Sequence, residues 1–137
     1  MLKISRNLLE DIYQHVRRDY PYECCGIITG RNDPIKEVLA THPVANLNKE
    51  RTHDRYELDP RQFQLIDDQA RKQGLSVLGF YHSHPDHPCA PSEFDRDHAW
   101  EGYSYMIIAI AAGQRIEVTS WTINDKGRFE EEEIGTE

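Results

Sequence analysis

The residues best suited to chemistry lie in one segment, residues 79–95, with the sequence GFYHSHPDHPCAPSEFD. Within it, His82 and His84 end a run of apolar, β-forming residues, and side chains at i and i+2 of a strand point to the same face of a sheet. A proline-rich loop follows. Ser92 then has the properties of a helix N-cap, and Asp95 lies three positions later, in the first turn. The segment therefore offers two imidazoles and one carboxylate as candidate metal ligands.

Two nitrogen ligands and one oxygen ligand leave the fourth position of a tetrahedral zinc ion open, as in hydrolytic rather than structural zinc sites. Water in that position has a pKa of about 7, and the ion also polarises a scissile carbonyl. The segment thus predicts one hydrolytic Zn²⁺ per chain. His87, His98 and Cys89 are alternative ligands by their closeness in sequence. Otherwise, His87 or His98 is a ligand of a second metal ion, and Cys89 is a redox-sensitive or an idle thiol.

Composition limits the kind of protein and the kind of partner to which such a site can belong. The 137 residues fit a single domain, residues 1–137, with one core. The net charge of -8 argues against a nucleic-acid partner, since phosphate binding needs a clustered basic face. Three cysteines make a poor disulfide framework, and neither a signal peptide nor a membrane-spanning run is visible. A cytoplasmic protein without membrane contact is the expectation.

The first half of the chain predicts two helices and a hairpin. Asn7 and Glu10 resemble a capping box for a helix that ends near Asp19. Two strand-like runs follow, at 25–30 and 35–41, separated by a turn and therefore paired as a hairpin. Residues 42–54 are expected to form a loop beside the active site, and residues 55–58 a short strand. Asp59 and Pro60 then start a second helix that ends at Gly74.

The second half predicts a third helix and more strands. The helix that begins at Ser92 is expected to run through Trp100, and Trp100 and Trp121 are expected to be core anchors. Two β-rich runs follow, at 103–112 and 116–123, and residues 130–137 are expected to be a solvated acidic tail. Because strands and helices do not alternate regularly, the fold class predicted is α+β, with a mixed β-sheet flanked by helices.

These residues carry a family resemblance. The chain resembles the JAMM, or MPN-plus, zinc metalloproteases in two motifs. The first covers His82 to Asp95 and reads H-S-H-P, then six residues, then S-x-x-D. The second begins at Glu23 and reads E-C-C-G-I-I-T-G. Asn46 and the sequence Y-x-L-D-P from Tyr56 resemble the short bacterial and archaeal members. The resemblance covers most of the chain and implies a cytidine-deaminase-like mixed sheet between helices.

The resemblance also implies roles and a substrate. His82, His84 and Asp95 would bind zinc, Glu23 would be the general acid and base, and Ser92 would help to stabilise the tetrahedral intermediate. The implied reaction is hydrolysis of a peptide or isopeptide bond at the C-terminal tail of a ubiquitin-like protein, here a sulfur carrier. The alternatives are a non-catalytic MPN-type scaffold, which usually lacks one or more of these residues, and a zinc amidohydrolase acting on a small molecule.

Overall fold

A mixed sheet carries the elements that position these residues. The computed structural model describes residues 1–48 and 56–136. Within them the elements are, in chain order, β1 (Leu2–Lys3), α1 (Arg6–Asp19), β2 (Cys25–Arg31), β3 (Lys36–Val44), α2 (Pro60–Lys72), β4 (Ser76–Pro85), α3 (Glu93–His98), β5 (Ser104–Ala111), β6 (Arg115–Ile123), β7 (Phe129–Glu132) and β8 (Ile134–Gly135).

The strands lie in the order β7-β6-β5-β4-β2-β3-β1-β8. The pairs β2–β3, β2–β4, β5–β6 and β6–β7 are antiparallel, whereas β4–β5, β1–β3 and β1–β8 are parallel. Helix α1 packs against one apolar cluster of the sheet, and Phe63 and Ile66 of α2 pack against a second cluster. The predicted α+β class with a mixed sheet flanked by helices is therefore confirmed.

Helix α1 begins differently from the prediction. Its N-cap is Ser5, whose hydroxyl accepts a hydrogen bond from the Leu8 N–H, so the expected capping box of Asn7 and Glu10 is wrong. Ser5 caps the helix because its hydroxyl accepts a hydrogen bond from an N–H that has no partner within the helix. Ile12, His15 and Val16 are buried and form the side of the helix that faces the core.

The hairpin and the second helix follow the prediction. Strands β2 and β3 pair antiparallel, and Asp59 caps α2 by accepting the N–H of Arg61, with Pro60 at the first helical position. Gly74 follows the helix with φ of 72°, a left-handed conformation that glycine adopts without strain. Strand β3 extends to Val44, so the region between β3 and α2 is shorter than predicted.

Only the ends of the predicted loop and short strand belong to the described part of the chain. Asn46 and Leu58 form an isolated antiparallel bridge instead of a strand. Residues 49–55 of those predictions lie outside the described residues. Among the described residues, no helix has the length and apolar character needed to cross a membrane.

Helix α3 is shorter than predicted, and Trp100 is not a core residue. The helix ends at His98, and the Trp100 side chain is 68% exposed. The Tyr105 hydroxyl accepts the Trp100 N–H at 2.7 Å and so fixes the backbone in a non-helical position. Trp121 is half-buried on β6, paired with Tyr105 of β5.

The acidic segment is not a solvated tail. Residues 129–132 form β7 against β6, and residues 134–135 form β8 against β1. Glu132 lies 3.6 Å from Lys36 and accepts a hydrogen bond from the Ser120 hydroxyl at 2.7 Å. Glu132 and Ile134 alternate along the segment, and their side chains are partly buried, as in a strand of the sheet. The run of negative charge in the sequence predicted exposure and gave no sign of this strand pairing. Glu137 lies outside the described residues.

Candidate metal centre

Strand β4 carries both candidate histidine ligands on one face. His82 and His84 alternate with Tyr81 and Ser83, and Phe80, on the same face as the histidines, belongs to the apolar cluster beneath α2. Strands β2 and β5 pair with the two edges of β4, so β4 lies inside the sheet. The His82 side chain is only 1% exposed, and His84 is 7% exposed. Pro85 ends the strand, as the sequence predicted.

Three ligand side chains face one another at this site. His82 Nε2 lies 3.1 Å from His84 Nε2, and the two Asp95 oxygens lie 3.2 Å from His82 Nε2 and 3.1 Å from His84 Nε2. Two ligands at about 2.0–2.1 Å from a tetrahedral zinc ion are separated by roughly 3.3 Å. The spacing of these three side chains therefore fits a zinc ion without rearrangement of the backbone.

A helix cap orients the carboxylate. The Ser92 hydroxyl accepts the N–H of Asp95, and the Ser92 N–H donates to Asp95 Oδ2, which completes a capping box. Burial by itself would raise the pKa of Asp95, but His82 and hydrogen bonds with both imidazoles and the Ser92 N–H hold the pKa well below its usual range. Asp95 is thus ionised at neutral pH, as a metal ligand must be.

The His82 ring is held by stacking. Its face lies against Tyr56, with the ring centroids 4.4 Å apart, and its Nδ1 has no hydrogen-bond partner among the described residues. Burial lowers the pKa of His82, so the imidazole is neutral at pH 7 and has a lone pair available for a metal. Most ligating histidines are oriented by a hydrogen bond from the second nitrogen, and here an aromatic face has that role.

Glu23 joins this cluster through strand pairing. It precedes β2, is only 4% exposed, and offers a carboxylate oxygen within 4.8 Å of a ring nitrogen of each histidine. The Asn46 side-chain amide donates to the Glu23 carbonyl at 3.1 Å, and Asn46 Oδ1 accepts the N–H groups of Asn48 and Glu57. Asn46 therefore ties both ends of the loop between β3 and α2 to the backbone of Glu23.

The remaining sequence candidates lie around the cluster. Ser92 is exposed at the cap beside Asp95. His87 and His98 are exposed, and His98 stacks on Phe94 and bonds the Phe94 carbonyl through Nδ1. The Cys89 thiol contacts the Ile107 carbonyl and the Thr119 hydroxyl. None of His87, Cys89 and His98 contributes to the ligand clusters found among the described residues.

An aromatic groove that the sequence did not reveal adjoins the cluster. It has a volume of about 320 Å³ and is lined by Asn48, Tyr56, Glu57, Leu58, Phe80, Phe94, Asp95, His98, Trp100 and Tyr105. Asp95 belongs to both the groove and the ligand triangle, so a molecule in the groove lies next to the candidate metal centre. Trp100 was the available sequence signal, but a lone tryptophan does not reveal its exposure.

Residues 5–124 match the family described as prokaryotic homologs of the JAB domain. The desampylase of Haloferax volcanii is 36% identical over 126 residues, which is 88% of this chain and 88% of the relative. The CysO-cysteine peptidase of Mycobacterium tuberculosis is 30% identical over 133 residues, which is 96% of this chain and 88% of the relative.

Solved structures share the architecture. A solution structure of a protein from Desulfitobacterium hafniense has a TM-score of 0.89 and 32% identity, covering 100% of this chain and 93% of the other. A crystal structure of a JAB1/MPN domain protein from Archaeoglobus fulgidus has a TM-score of 0.61 and 21% identity, covering 100% of this chain and 97% of the other, and shows a shared fold.

Proposed function

The chain belongs to the family of prokaryotic homologs of the JAB domain, and we propose that it is a zinc metallopeptidase. Its reaction is hydrolysis of a peptide or isopeptide bond at the C-terminal tail of a ubiquitin-like sulfur-carrier protein. Relatives named desampylase and CysO-cysteine peptidase, which match most of this chain, support a peptidase of this kind. The family is typically metal-dependent, and the identity of the metal as Zn²⁺ is part of the proposal.

The observation that carries the proposal is the triangle of His82, His84 and Asp95 with Glu23 beside it. These three side chains would hold the zinc ion, which when bound supplies a Lewis acid and a water molecule of pKa near 7. A scaffold has no need of a complete, buried set of ligands with a carboxylate next to it. The completeness of the set therefore favours catalysis.

Glu23 is proposed as the general acid and base. Its carboxylate would accept a proton from the attacking water and return it to the nitrogen of the leaving amine, a role that contributes about 10²- to 10⁴-fold to the rate. Burial favours this role, because a carboxylate with restricted access to solvent exchanges its proton with the substrate. The Asn46 contact to the Glu23 carbonyl supports the position of its backbone.

Ser92 is proposed to donate a hydrogen bond to the oxygen of the scissile carbonyl. Removing one donor of this kind commonly costs about 3 kcal/mol of transition-state stabilisation. Ser92 also caps α3, so a loss of activity could come from the cap. Ser92→Gly separates the two roles, because glycine is a tolerated N-cap residue but has no hydroxyl.

The test begins with zinc content. Protein purified without chelators is compared with Asp95→Ala by elemental mass spectrometry, and the variant is expected to carry one zinc fewer per chain. Equal zinc in the two proteins would overturn the ligand assignment. A wild type that neither contains nor takes up zinc would favour the scaffold.

Activity is then measured on two carrier substrates, one fused through a linear peptide bond and one linked to a lysine side chain. Wild type should cleave at the carrier's C-terminal glycine, and Glu23→Gln should lose about 10²-fold or more of the rate while keeping its zinc. Cleavage of small amides with no cleavage of either carrier conjugate would replace the peptidase by an amidohydrolase.

A further inference from the structure

A second cluster of metal-ligating side chains lies on the face of the sheet that packs against α1. His15 Nε2 is 3.3 Å from Asp19 Oδ2, and ligand atoms of His15, Asp19 and Cys24 all lie within 4.8 Å of one another. Cys24 belongs to the apolar cluster beneath α1, whereas Cys25 belongs to the cluster beneath α2. The two ligand clusters are therefore on opposite faces of the sheet.

The spacing suits a tetrahedral ion. His15 and Asp19 are four residues apart and thus share one face of α1 at its C-terminal end. Zinc bonds of about 2.0–2.1 Å to nitrogen and oxygen place those two atoms roughly 3.3 Å apart, which is the separation found here. The thiol supplies the soft ligand that selects zinc over magnesium or calcium.

Tyr81 supplies the outer contact that a ligating histidine requires. Its hydroxyl lies 2.6 Å from His15 Nδ1, and the Tyr81 side chain is fully buried. With Nδ1 engaged, Nε2 is the ring atom that faces Asp19. The tyrosine ring also covers Gly26 so closely that any Cβ there would clash with it. Such a contact fixes the tautomer and orientation of the imidazole in metal sites.

The cluster is buried but has a route to solvent. Cys24 is 1% exposed and His15 is 6% exposed, whereas the Asp19 side chain is 37% exposed. An ion can therefore enter past the carboxylate. Burial raises the pKa of the Cys24 thiol to about 12, so the free thiol is protonated at neutral pH. Binding breaks the S–H bond, forms a sulfur–metal bond and releases one proton to water.

We propose that His15, Asp19 and Cys24 form a second site for a borderline-soft divalent cation such as Zn²⁺. The ion joins the C-terminal turn of α1 to the entrance of β2, immediately after Glu23. This site is separate from the proposed catalytic one and shares no ligand with it. It therefore adds a second metal to the single ion expected from the sequence.

The test is a titration of the full chain, freed of metal by a chelator, with Co²⁺. Thiolate coordination gives a ligand-to-metal charge-transfer band in the near ultraviolet, and the proposed catalytic ligands include no thiolate. Wild type is expected to bind two Co²⁺ ions and to develop the band. Asp95→Ala should bind one Co²⁺ and keep the band, so failure of either site is seen independently of the other.

Three variants assign the band. Cys24→Ser should abolish it while leaving the visible absorption of the other cobalt ion, and Cys89→Ser should leave it intact. Asp19→Asn removes the negative charge of one ligand and should weaken the binding of this cobalt ion at least about tenfold. Because Asp19 is half-exposed, this variant is expected to fold as wild type does. A wild type without the band, or a folded Cys24→Ser protein that retains it, would overturn the proposal.

Discussion

Cys25 pairs with His82 in the antiparallel ladder between β2 and β4. The pairing continues past the end of β2, where the Ser83 N–H donates to the Cys24 carbonyl at 3.0 Å. This register brings Glu23, two residues before Cys25, to the histidines, although about sixty residues separate them in the chain. The position of the proposed acid and base is thus a consequence of strand register.

Replacing Tyr56 should weaken metal binding. Its ring stacks on His82, whose Nδ1 has no hydrogen-bond partner among the described residues. Tyr56→Leu is expected to lower zinc affinity about 10- to 100-fold, the size of effect of other outer contacts in metal sites. Competition with a chromophoric chelator measures it. Tyr56→Phe keeps the ring and should bind zinc as wild type does; equal affinity of the leucine variant would refute the role.

Trp100 should matter to the substrate and not to the fold. Its side chain is 68% exposed at the groove next to Asp95. Trp100→Ala is expected to change the free energy of unfolding by less than about 0.5 kcal/mol. The KM for a carrier conjugate should rise about tenfold, as for an aromatic anchor at an interface. Leu65→Ala is the matched control, since Leu65 is 60% exposed on α2 and does not line this groove. Unchanged kinetics of the tryptophan variant would exclude the groove from substrate binding.

Removing Glu132 should destabilise the protein. The Glu132 carboxylate accepts from the Ser120 hydroxyl and pairs with Lys36, which also donates to Ser104 at 2.7 Å. Because these groups are largely shielded from water, Glu132→Ala is expected to cost about 1–3 kcal/mol in the free energy of unfolding. Urea denaturation measures the loss. Glu131→Ala, at the exposed neighbouring position, should cost less than about 0.5 kcal/mol; equal effects would mean that the contacts contribute nothing.

Stability of the metal-free protein should fall as the pH drops below about 6.5. Burial lowers the pKa of His15, His42 and His82, so the folded state binds fewer protons than the unfolded state as the pH falls. The unfolded state is then favoured, and the loss continues down to the folded pKa values. Urea midpoints at pH 7.5 and 5.5, with chelator present, measure the difference.

His42→Gln tests this origin. The His42 ring bonds the Thr29 hydroxyl through Nε2, and glutamine can replace that hydrogen bond without titrating. The variant should lose less stability than wild type between the two pH values. His87→Gln, at an exposed position, should behave as wild type does. Stability independent of pH in the wild type would contradict the prediction.

The sequence predicted those parts of the fold in which local pattern and tertiary structure agree. The Asp59–Pro60 start of α2, the β2–β3 hairpin and the shared face of His82 and His84 depend on neighbours in the chain, and all three are present. Family resemblance supplied the expected role of Glu23, which no local pattern gives. The position of that residue depends on pairing between distant strands.

The errors have two physical causes. Residues 130–135 are acidic, and only the partner strands β6 and β1 make them strands. Trp100 is apolar, and only the loop geometry at Tyr105 places it in solvent. Ser5 replaced the predicted cap of α1 because two nearby residues were both able to cap a helix. Composition cannot distinguish these outcomes, because each depends on contacts between residues far apart in the chain or on small local energies.

The two outermost strands of the sheet, β7 and β8, are consecutive in the chain and separated by Glu133 alone. Leu2 and Lys3 consequently have a strand partner on their outer side only when residues 134 and 135 are present. During synthesis on the ribosome, Leu2 therefore has no partner on this side until residues 134 and 135 have emerged. Pairing at such a separation is slow, and the nascent protein carries an unpaired strand edge until β8 has formed.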